Sequence, residues 1–192
     1  MRILIITHER TGGHALLHWL AKEVGSLRVM HEPLDTQGET ETKELLQLLH
    51  HPHLIAKERI NPLAHSELLE TLPATCTHVI CLTREDTREA AISRAHLELS
   101  GAEAHAPYRH TQEWEGWHQE TILKHSEAIQ ADKELILALP YLQVTYENIY
   151  VRPPYPDRDR LKALLWIDNF QYEEEFLNPR RRLRKEYKSK LL

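Results

Sequence analysis

Runs of apolar and β-branched residues alternate with segments of helical periodicity along the chain, and this alternation restricts the fold more than any other feature. The runs cover residues 3–7, 27–30, 53–56, 78–83 and 142–146. Several of them are apolar almost throughout, which is typical of parallel strands that are buried on both faces. The sequence therefore predicts an α/β fold built on a mostly parallel sheet of about five strands.

The segments between these runs carry apolar residues at helical spacing. Three helical faces are predicted: Leu16, Leu20 and Val24; Ala91, Ala95 and Leu99; and Ile122, Ile129 and Ile136. We expect Trp114 and Trp117 to begin the buried side of the third helix as core residues. The prolines of RPPYPDRD, residues 152–159, exclude helix from the residues before them, and a short helix is predicted around 161–166.

Composition bounds the class of protein. With 192 residues, 41% of them hydrophobic, the chain has enough apolar material for one core, so we expect a single domain over 1–192 with a basic tail at 178–192. A net charge of -5 argues against a nucleic-acid partner. The amino terminus does not look like a signal peptide, and no apolar run reaches the roughly 20 residues of a membrane span.

Cysteine and histidine placement adds two expectations. Cys76 and Cys81 lie on one predicted strand with side chains on opposite faces, so we expect no disulfide and a reducing, cytoplasmic location. The HHPH segment at 50–53 has no cysteine nearby and is interrupted by Pro52, so we expect no metal site there. Whether the chain forms a homodimer stays open.

The turn after the first predicted strand has the properties of a phosphate-binding turn. The strand ends at Thr7, and HERTGGHA, residues 8–15, leads into a helix near Ala15. Free backbone N–H groups and the helix dipole favour an anion at such a position. Gly12 and Gly13 allow close approach of the backbone, and Arg10 can add a charge-assisted hydrogen bond. The alternative is a tight turn whose glycines serve chain reversal only.

A second segment repeats the strand-into-helix pattern. VICLTREDTREAAISRA, residues 79–95, places Arg84 at the end of a strand and Ser93 on the helix that follows. Open α/β sheets bind ligands at the carboxyl ends of their strands. Neither segment is a Walker loop, since no lysine or hydroxyl residue follows Gly13, and G-x-G-x-x-G is absent as well.

The two segments together resemble the paired signatures of the sulfotransferases that use 3′-phosphoadenosine 5′-phosphosulfate (PAPS). ERTGGH at 9–14 is similar to the family loop P-[KR]-[ST]-G-[ST]-[ST], which holds the 5′-phosphosulfate. Arg84 and Ser93, nine residues apart, match the arginine and serine that bind the 3′-phosphate. Gly13 and His14 stand where the family has hydroxyl residues, and Glu9 stands where it has proline.

The bacterial trehalose sulfotransferase type is the most similar branch. Its second signature, L-R-R-x-D-x-x-x-Q-A-x-S, is similar to LTREDTREAAIS at 82–93, and its pLxVxYEdL segment is similar to YLQVTYENIY at 141–150. LIAKERI at 54–60 offers Lys57 for a lysine that recurs in the branch. The likeness extends from residue 3 to around residue 170.

This resemblance implies a fold, a cofactor and a reaction. The fold would be a three-layer α/β/α fold of the P-loop-NTPase-like sulfotransferase type. The reaction would move a sulfuryl group from PAPS to a hydroxyl of a carbohydrate or other small molecule, leaving adenosine 3′,5′-bisphosphate (PAP), without a metal. The implied cofactor-binding residues are Arg10, Thr11, Gly12, Gly13, His14, Ala15, Arg84, Ser93, Arg181 and Arg182. The alternative for the basic tail is a solvated segment.

Candidates for the chemical step follow the second predicted strand. MHEPLD at 30–35 offers Glu32 as the base that takes the acceptor proton, with His31 as its rival, and carbohydrate sulfotransferases resemble this with E-P-L at the matching place. Arg10 and Lys57 are candidates for neutralising the leaving phosphate. The alternatives are that Glu32 caps the next segment or pairs with a lysine, and that Lys57 is a solvated strand-end residue.

Two other classes of function stay open at this point. A nucleotide kinase or hydrolase is disfavoured, because no Walker lysine follows the glycines. A non-catalytic nucleotide-binding protein of the same fold is kept open by the altered GGH sequence at 12–14. Acceptor specificity would lie in loops such as 34–48 and 100–113, whose sequences are not diagnostic.

Overall fold

The structure is a computed structural model, and it describes residues 1–33, 51–64, 68–100, 111–168 and 170–171. The basic tail, with Arg181 and Arg182, lies outside the described residues, as do 34–50 and 101–110. The elements in chain order are β1 (Arg2–Thr7), α1 (Gly13–Val24), β2 (Arg28–His31), β3 (Leu54–Arg59), α2 (Ile60–Ala64), α3 (Leu68–Thr75), β4 (His78–Thr83), α4 (Thr87–Ser100), α5 (Gln112–Trp117), α6 (Gln119–Leu137), β5 (Leu142–Thr145), α7 (Tyr146–Tyr150) and α8 (Pro156–Leu165).

The strands form one five-stranded sheet in the order β2-β3-β1-β4-β5, and all of its pairings are parallel. Each predicted apolar run is a strand, so the predicted sheet is confirmed. β1 lies at the centre, where Ile3, Leu4, Ile5 and Ile6 are all buried. A strand that is covered on both faces favours apolar residues at every position, which is why the β1 run does not alternate with polar residues.

Alternation along β1 divides the core into two layers. Ile3 and Ile5 pack with α1, α7 and α8 on one face of the sheet, in a cluster that includes Leu17, Ile149 and Leu161. Leu4 and Ile6 point to the other face and pack with residues of α2, α3 and α6. The architecture is therefore three layers, α/β/α, as predicted.

The carboxyl ends of the strands meet at one edge of the sheet because the strands are parallel. The register pairs Thr7 with Arg59 and with Leu82, and it pairs His31 with Lys57. The segments that follow β1, β2, β3 and β4 therefore begin close together. Open parallel sheets bind their ligands at this edge.

Two expectations about individual residues are wrong, one about Trp117 and one about the cysteines. Trp117 is 72% exposed, because it belongs to the separate short helix α5, which ends at His118 before α6 begins. Trp114, by contrast, packs against a core cluster formed by α4 and α6, as expected, and is partly buried there. Cys76 precedes β4, and both free cysteines contact the same hydrophobic cluster instead of opposite faces.

In the part of the chain that the structure describes, no helix is long and apolar enough to cross a bilayer.

Leu82 tests how much the central core contributes to stability. Leu82 is fully buried on β4, whereas Leu123 on α6 is 53% exposed. We expect Leu82→Ala to lower the free energy of unfolding by about 2–5 kcal/mol, since it loses apolar burial and leaves a cavity. Leu123→Ala, the matched control, should cost less than about 1 kcal/mol. Urea unfolding of both variants measures this, and equal losses would contradict the described core.

Candidate active site

The turn between β1 and α1 is built from backbone conformations that most residues avoid. Arg10 has φ 59° and Gly12 has φ 78°, both in the left-handed region. The first hydrogen bond of α1 runs from the N–H of Leu16 to the carbonyl of Gly12 at 3.2 Å. The helix thus begins at Gly13 and not near Ala15, and its first N–H groups lie at the carboxyl edge of the sheet.

Both glycines of this turn are needed because protein side chains approach the backbone closely. A Cβ atom at Gly13 would lie 2.8 Å from Thr7 Cγ2 and 3.1 Å from Lys57 Cε. A Cβ atom at Gly12 would lie 3.0 Å from the Tyr146 ring. The turn is therefore packed between α7 and the Lys57 side chain. Tyr150 Oη adds a hydrogen bond of 3.1 Å to the Gly12 carbonyl.

The other residues of the turn have defined contacts. Thr11 is buried, and its hydroxyl donates to the His8 carbonyl at 3.1 Å, so it stabilises the turn from inside. His14 lies in the first turn of α1, followed by Ala15. The ring centroid of His14 is 4.4 Å from that of His18 and 4.7 Å from that of His31. The first turn of α1 therefore contacts the end of β2.

The two segments singled out in the sequence meet directly. Arg10 Nε donates to Ser93 Oγ at 2.8 Å, although the two residues are 83 positions apart. Arg84 Nη1 lies at 3.5 Å from the Arg10 carbonyl. Three of the predicted cofactor-binding residues are thus neighbours at one edge of the sheet. Two guanidinium groups at this edge create a local positive potential in a chain whose net charge is negative.

A buried histidine that the sequence did not reveal connects these two segments. His8 Nδ1 donates to the Glu9 carbonyl at 2.8 Å, and His8 Nε2 accepts from the backbone N–H of Arg84 at 3.1 Å. This pair of bonds requires the neutral imidazole. Burial, together with the positive charges of Lys133 and Arg84, lowers the pKa of His8 to about 4. His8 thus fixes the start of the Arg84 segment against the first turn.

Residues of α7 hold Arg84 from the other side. Glu147 is buried, and its carboxylate accepts from the backbone N–H groups of Glu85 at 2.9 Å and Asp86 at 3.3 Å. The same carboxylate lies 3.9 Å from Arg84 Nε. The Arg84 guanidinium carbon lies 4.7 Å from the centre of the Tyr146 ring, a cation–π contact. The sequence marked this segment only by its resemblance, and nothing local in it predicted these contacts.

Glu32 lies in a cluster of positive groups just after β2. Its carboxylate forms a hydrogen-bonded ion pair with Lys57, lies 3.4 Å from Arg59 Nε and lies 4.0 Å from His31 Nε2. Burial by itself would raise the pKa of Glu32, but the hydrogen bond from Lys57 and the charges of Lys57, Arg59 and His31 hold it below its ordinary value. Glu32 is therefore a carboxylate at neutral pH.

Lys57 is a buried residue and not a solvated one. Only 7% of its surface is exposed, because its side chain runs across Gly13 toward Glu32. The ammonium group thus lies between the first turn and the end of β2. The alternative stated for Glu32, that it pairs with a lysine, is observed, and the pair places Lys57 beside the first turn of α1.

Glu9, which stands at the proline position of the family loop, is paired as well. Its carboxylate accepts from Arg59 Nη1 at 2.6 Å and contacts Arg94 Nε at 2.9 Å. It does not need Arg10 as a counterion. Arg10 contacts Ser93. Because the Glu9 carboxylate is paired with Arg59 and Arg94, it adds little negative potential to the turn.

The arrangement is suited to binding anions and holding a base. It combines Arg10, Arg84 and Lys57 with the first N–H groups of α1, and it places Glu32 beside Lys57. Within the described ranges, no group of three or more histidine, cysteine, aspartate or glutamate residues is arranged to hold a metal ion. The predicted Arg181 and Arg182 contacts fall outside those ranges.

Comparisons with known proteins identify the fold. A scan against protein-family models finds no match, and a search of curated proteins finds no relative. Among solved structures, the chain is similar to mouse sulfotransferase SULT7A1 complexed with PAP, with a TM-score of 0.54 and 16% sequence identity. The match covers 91% of this chain and 62% of the mouse protein, so this chain spans less than two thirds of that protein's length. At this identity the likeness shows the fold alone, which is the three-layer sulfotransferase fold.

His8 generates a prediction about pH and stability. The native state keeps His8 neutral down to about pH 4, whereas an unfolded chain protonates it near 6.5. Its contribution is therefore present above about pH 6.5 and is lost as pH falls toward 4. We expect the stability difference between parent and His8→Gln to shrink over this range by up to about 1.4 kcal/mol per pH unit. Urea unfolding of both proteins measures it, and a constant difference would contradict a buried neutral imidazole.

Proposed function

We propose that this chain is a PAPS-dependent sulfotransferase that moves a sulfuryl group to a hydroxyl of a carbohydrate or other small molecule. The observation that carries the proposal is the Arg10–Ser93 hydrogen bond, which joins the two signature-like segments at the carboxyl edge of a parallel sheet. The fold, similar to that of a PAP-bound sulfotransferase, supports it. The resemblance of 82–93 and 141–150 supports the trehalose sulfotransferase type, with a cytoplasmic location.

The residues at the sheet edge fit a nucleotide with two phosphate positions. In the proposal, Arg10 and the N–H groups of Gly13, His14 and Ala15 hold the 5′-phosphosulfate, while Arg84 and Ser93 hold the 3′-phosphate. Arg84 Nε is buried and lies 3.9 Å from the Glu147 carboxylate without a hydrogen bond, so Glu147 positions the guanidinium group without using that N–H. Arg181 and Arg182 are proposed to approach the same 3′-phosphate.

Glu32 is proposed as the base. PAPS, when bound, supplies the sulfuryl group; an acceptor oxygen forms the new S–O bond as the bond from sulfur to the 5′-phosphate oxygen breaks. Glu32 takes the acceptor's proton, because it is already ionised at neutral pH and lies at the edge where the first turn begins. His31 is the rival, since its ring is 4.0 Å from the same carboxylate.

Lys57 and Arg10 are proposed to neutralise the leaving phosphate. A carboxylate whose pKa is lowered is a weak base. The larger part of the catalytic effect must therefore come from cations beside the leaving phosphate, which neutralise its negative charge. The Lys57 side chain crosses Gly13, so its ammonium can reach both Glu32 and an anion at the first turn. This shared position explains why a buried lysine occurs here.

A non-catalytic nucleotide-binding protein of the same fold is the second candidate. Gly13 and His14 stand where the family loop has hydroxyl residues, so the turn lacks those two hydroxyl donors, and Thr11 turns its own hydroxyl inward to the His8 carbonyl. Such a turn could hold a nucleotide weakly without promoting transfer. The absence of a lysine after the glycines argues against a kinase.

Arg84 provides the test of the nucleotide assignment. We expect Arg84→Ala to weaken PAP binding by roughly 30- to 150-fold, since hydrogen bonds to charged groups are worth about 2–3 kcal/mol. Binding of adenosine 5′-monophosphate should stay unchanged, because it lacks the 3′-phosphate. Isothermal titration calorimetry with both nucleotides measures this.

Arg88→Ala is the matched control for Arg84→Ala. Arg88 lies on α4, the helix that follows Arg84, and pairs with Glu115, so its loss should leave PAP binding unaltered. PAP should also raise the melting temperature of the parent protein whereas ATP should not, because only a ligand that binds the native state stabilises it. Equal PAP affinity for parent and a folded Arg84→Ala would remove the 3′-phosphate assignment.

Glu32 provides the test of catalysis. Glu32→Gln keeps the shape of the side chain but cannot accept a proton near neutral pH, so we expect kcat to fall by roughly 100-fold or more. PAP affinity should change much less than turnover, since the proposed phosphate contacts come from other segments. The measurement is transfer of labelled sulfate from PAPS to a panel of sugars and small alcohols.

The same assay with His31→Ala separates the alternatives. Full turnover in Glu32→Gln and lost turnover in His31→Ala would make His31 the base. A rise in KM alone would make Glu32 an anchor for the acceptor. PAP binding without sulfate transfer by any of these proteins, the parent included, would favour the non-catalytic candidate.

A further inference from the structure

Arg59 connects two carboxylates that come from different parts of the chain. It is the last residue of β3, and its Nη1 donates to Glu9 at 2.6 Å, while its Nε lies 3.4 Å from Glu32 Oε2. Glu9 belongs to the turn after β1, and Glu32 follows β2. Because β3 lies between β1 and β2 in the sheet, Arg59 lies between these two segments.

The chemistry of this contact requires a guanidinium group. Arginine presents several N–H donors in a fixed plane, so one side chain can contact two carboxylates in different directions. A lysine ammonium is a compact charge, so it would pair with one of the two carboxylates and lose contact with the other. Side-chain exposure is 21% for Arg59, 24% for Glu9 and 19% for Glu32, so solvent screens these pairs only in part.

The charges that face Glu32 come from each neighbouring element. Lys57 and Arg59 face it from β3, and His31 faces it from the end of β2. His14 of α1 contacts His31, and Glu9 reaches Glu32 only through Arg59. Glu58 lies between Lys57 and Arg59, so its side chain points to the opposite face of the sheet.

Two cations, Lys57 and Arg59, contact the Glu32 carboxylate, and their surroundings differ. Lys57 also lies against Gly13, where the proposed function places an anion, whereas Arg59 pairs with the carboxylates of Glu9 and Glu32. A half-buried carboxylate that lost its hydrogen-bonded cation to another anion would need a second counterion to stay ionised and in place. Arg59 meets that requirement.

We propose that Arg59 is a positioning residue, which orients the Glu32 carboxylate, keeps it ionised and ties it to the Glu9 turn that carries Arg10. This inference rests on the proposed function in one respect, the role of Glu32 as base. Its structural part, the effect of Arg59 on Glu32, does not depend on any reaction. The two parts can therefore be tested separately.

The first test measures the titration of Glu32 directly. In protein labelled with ¹³C at glutamate carboxyl groups, NMR follows each carboxyl with pH, and Glu32→Gln identifies the Glu32 signal by its loss. We expect Arg59→Gln to move the Glu32 midpoint to higher pH, because a positive charge beside the carboxylate has been removed. Arg59→Lys should move it less. Arg88→Gln, an arginine that pairs with Glu115 on α5, is the matched control and should leave it in place.

A second variant keeps the test open should Arg59→Gln fail to fold. Glu9→Gln leaves Arg59 in place but removes the carboxylate that shares it, so the Glu32 midpoint should move to lower pH. Opposite directions for Arg59→Gln and Glu9→Gln support the proposal. An unmoved Glu32 midpoint in a folded Arg59→Gln, or an unmoved or raised midpoint in Glu9→Gln, overturns it.

The activity measurement separates this proposal from the proposed function. A base must be ionised, so kcat falls on the acid side of the pH profile, and Arg59→Gln should move that acid limb to higher pH. At the acid end its kcat should be roughly 10-fold lower, relative to its own plateau, than that of the parent. A purely structural role would lower kcat equally at every pH, and that result would overturn the positioning role. Shifted NMR midpoints in a parent protein that transfers no sulfate would remove the proposed function and leave the effect of Arg59 on Glu32 standing.

Discussion

Parallel pairing of β1 with β3 on one side and β4 on the other is the constraint on which the candidate site depends. It brings the residues after Thr7, Arg59 and Thr83 to one edge of the sheet, although they are far apart in the chain. Arg10 can therefore contact Ser93, and Arg59 can contact Glu9. A parallel sheet of this kind has to be covered on both faces, so the site at its edge depends on the core clusters on both sides.

Burial of charge at this edge requires a balanced set of partners. The cations Arg10, Lys57, Arg59, Arg84 and Arg94 are interleaved with the carboxylates Glu9, Glu32 and Glu147. Each carboxylate contacts at least one of these cations, and Glu147 also accepts from two backbone N–H groups. Half-buried ions with such partners hold defined positions, whereas unpaired ones would neutralise or turn to solvent.

The sequence was informative wherever the physical cause was local. Burial on both faces leaves a continuous apolar pattern in β1 and β4, so these runs predicted strands, and the turn before α1 was found because Arg10, Gly12 and Gly13 lie within four residues. Trp117 was misplaced because the helix is interrupted at His118, and helical spacing cannot be extended across such a break. The helix start was placed two residues late for a related reason, since Gly13 takes helical conformation without a capping side chain.

The contacts that the sequence did not predict are those between distant segments. His8 to Arg84 spans 76 residues, Glu147 to Glu85 spans 62, and Arg59 to Glu9 spans 50. A histidine or glutamate in a turn has the same local pattern whether it is solvated or buried, so only the register of the sheet reveals its partner. The resemblance identified Arg84 and Ser93 through their spacing, but it did not identify what holds Arg84 in position.

The glycine pair shows why a structural and a functional explanation need not compete. Contacts with Tyr146 and Thr7 are enough to exclude larger residues at Gly12 and Gly13, so chain packing alone accounts for the glycines. The second neighbour of Gly13 is Lys57, however. Packing at Gly13 does not by itself explain why a buried ammonium group lies across the turn. Glu32 balances the charge of Lys57. Because Gly13 has no side chain, Lys57 can approach the first N–H groups of α1. The packing that requires glycine is thus the same packing that brings a cation to the N-terminal end of α1.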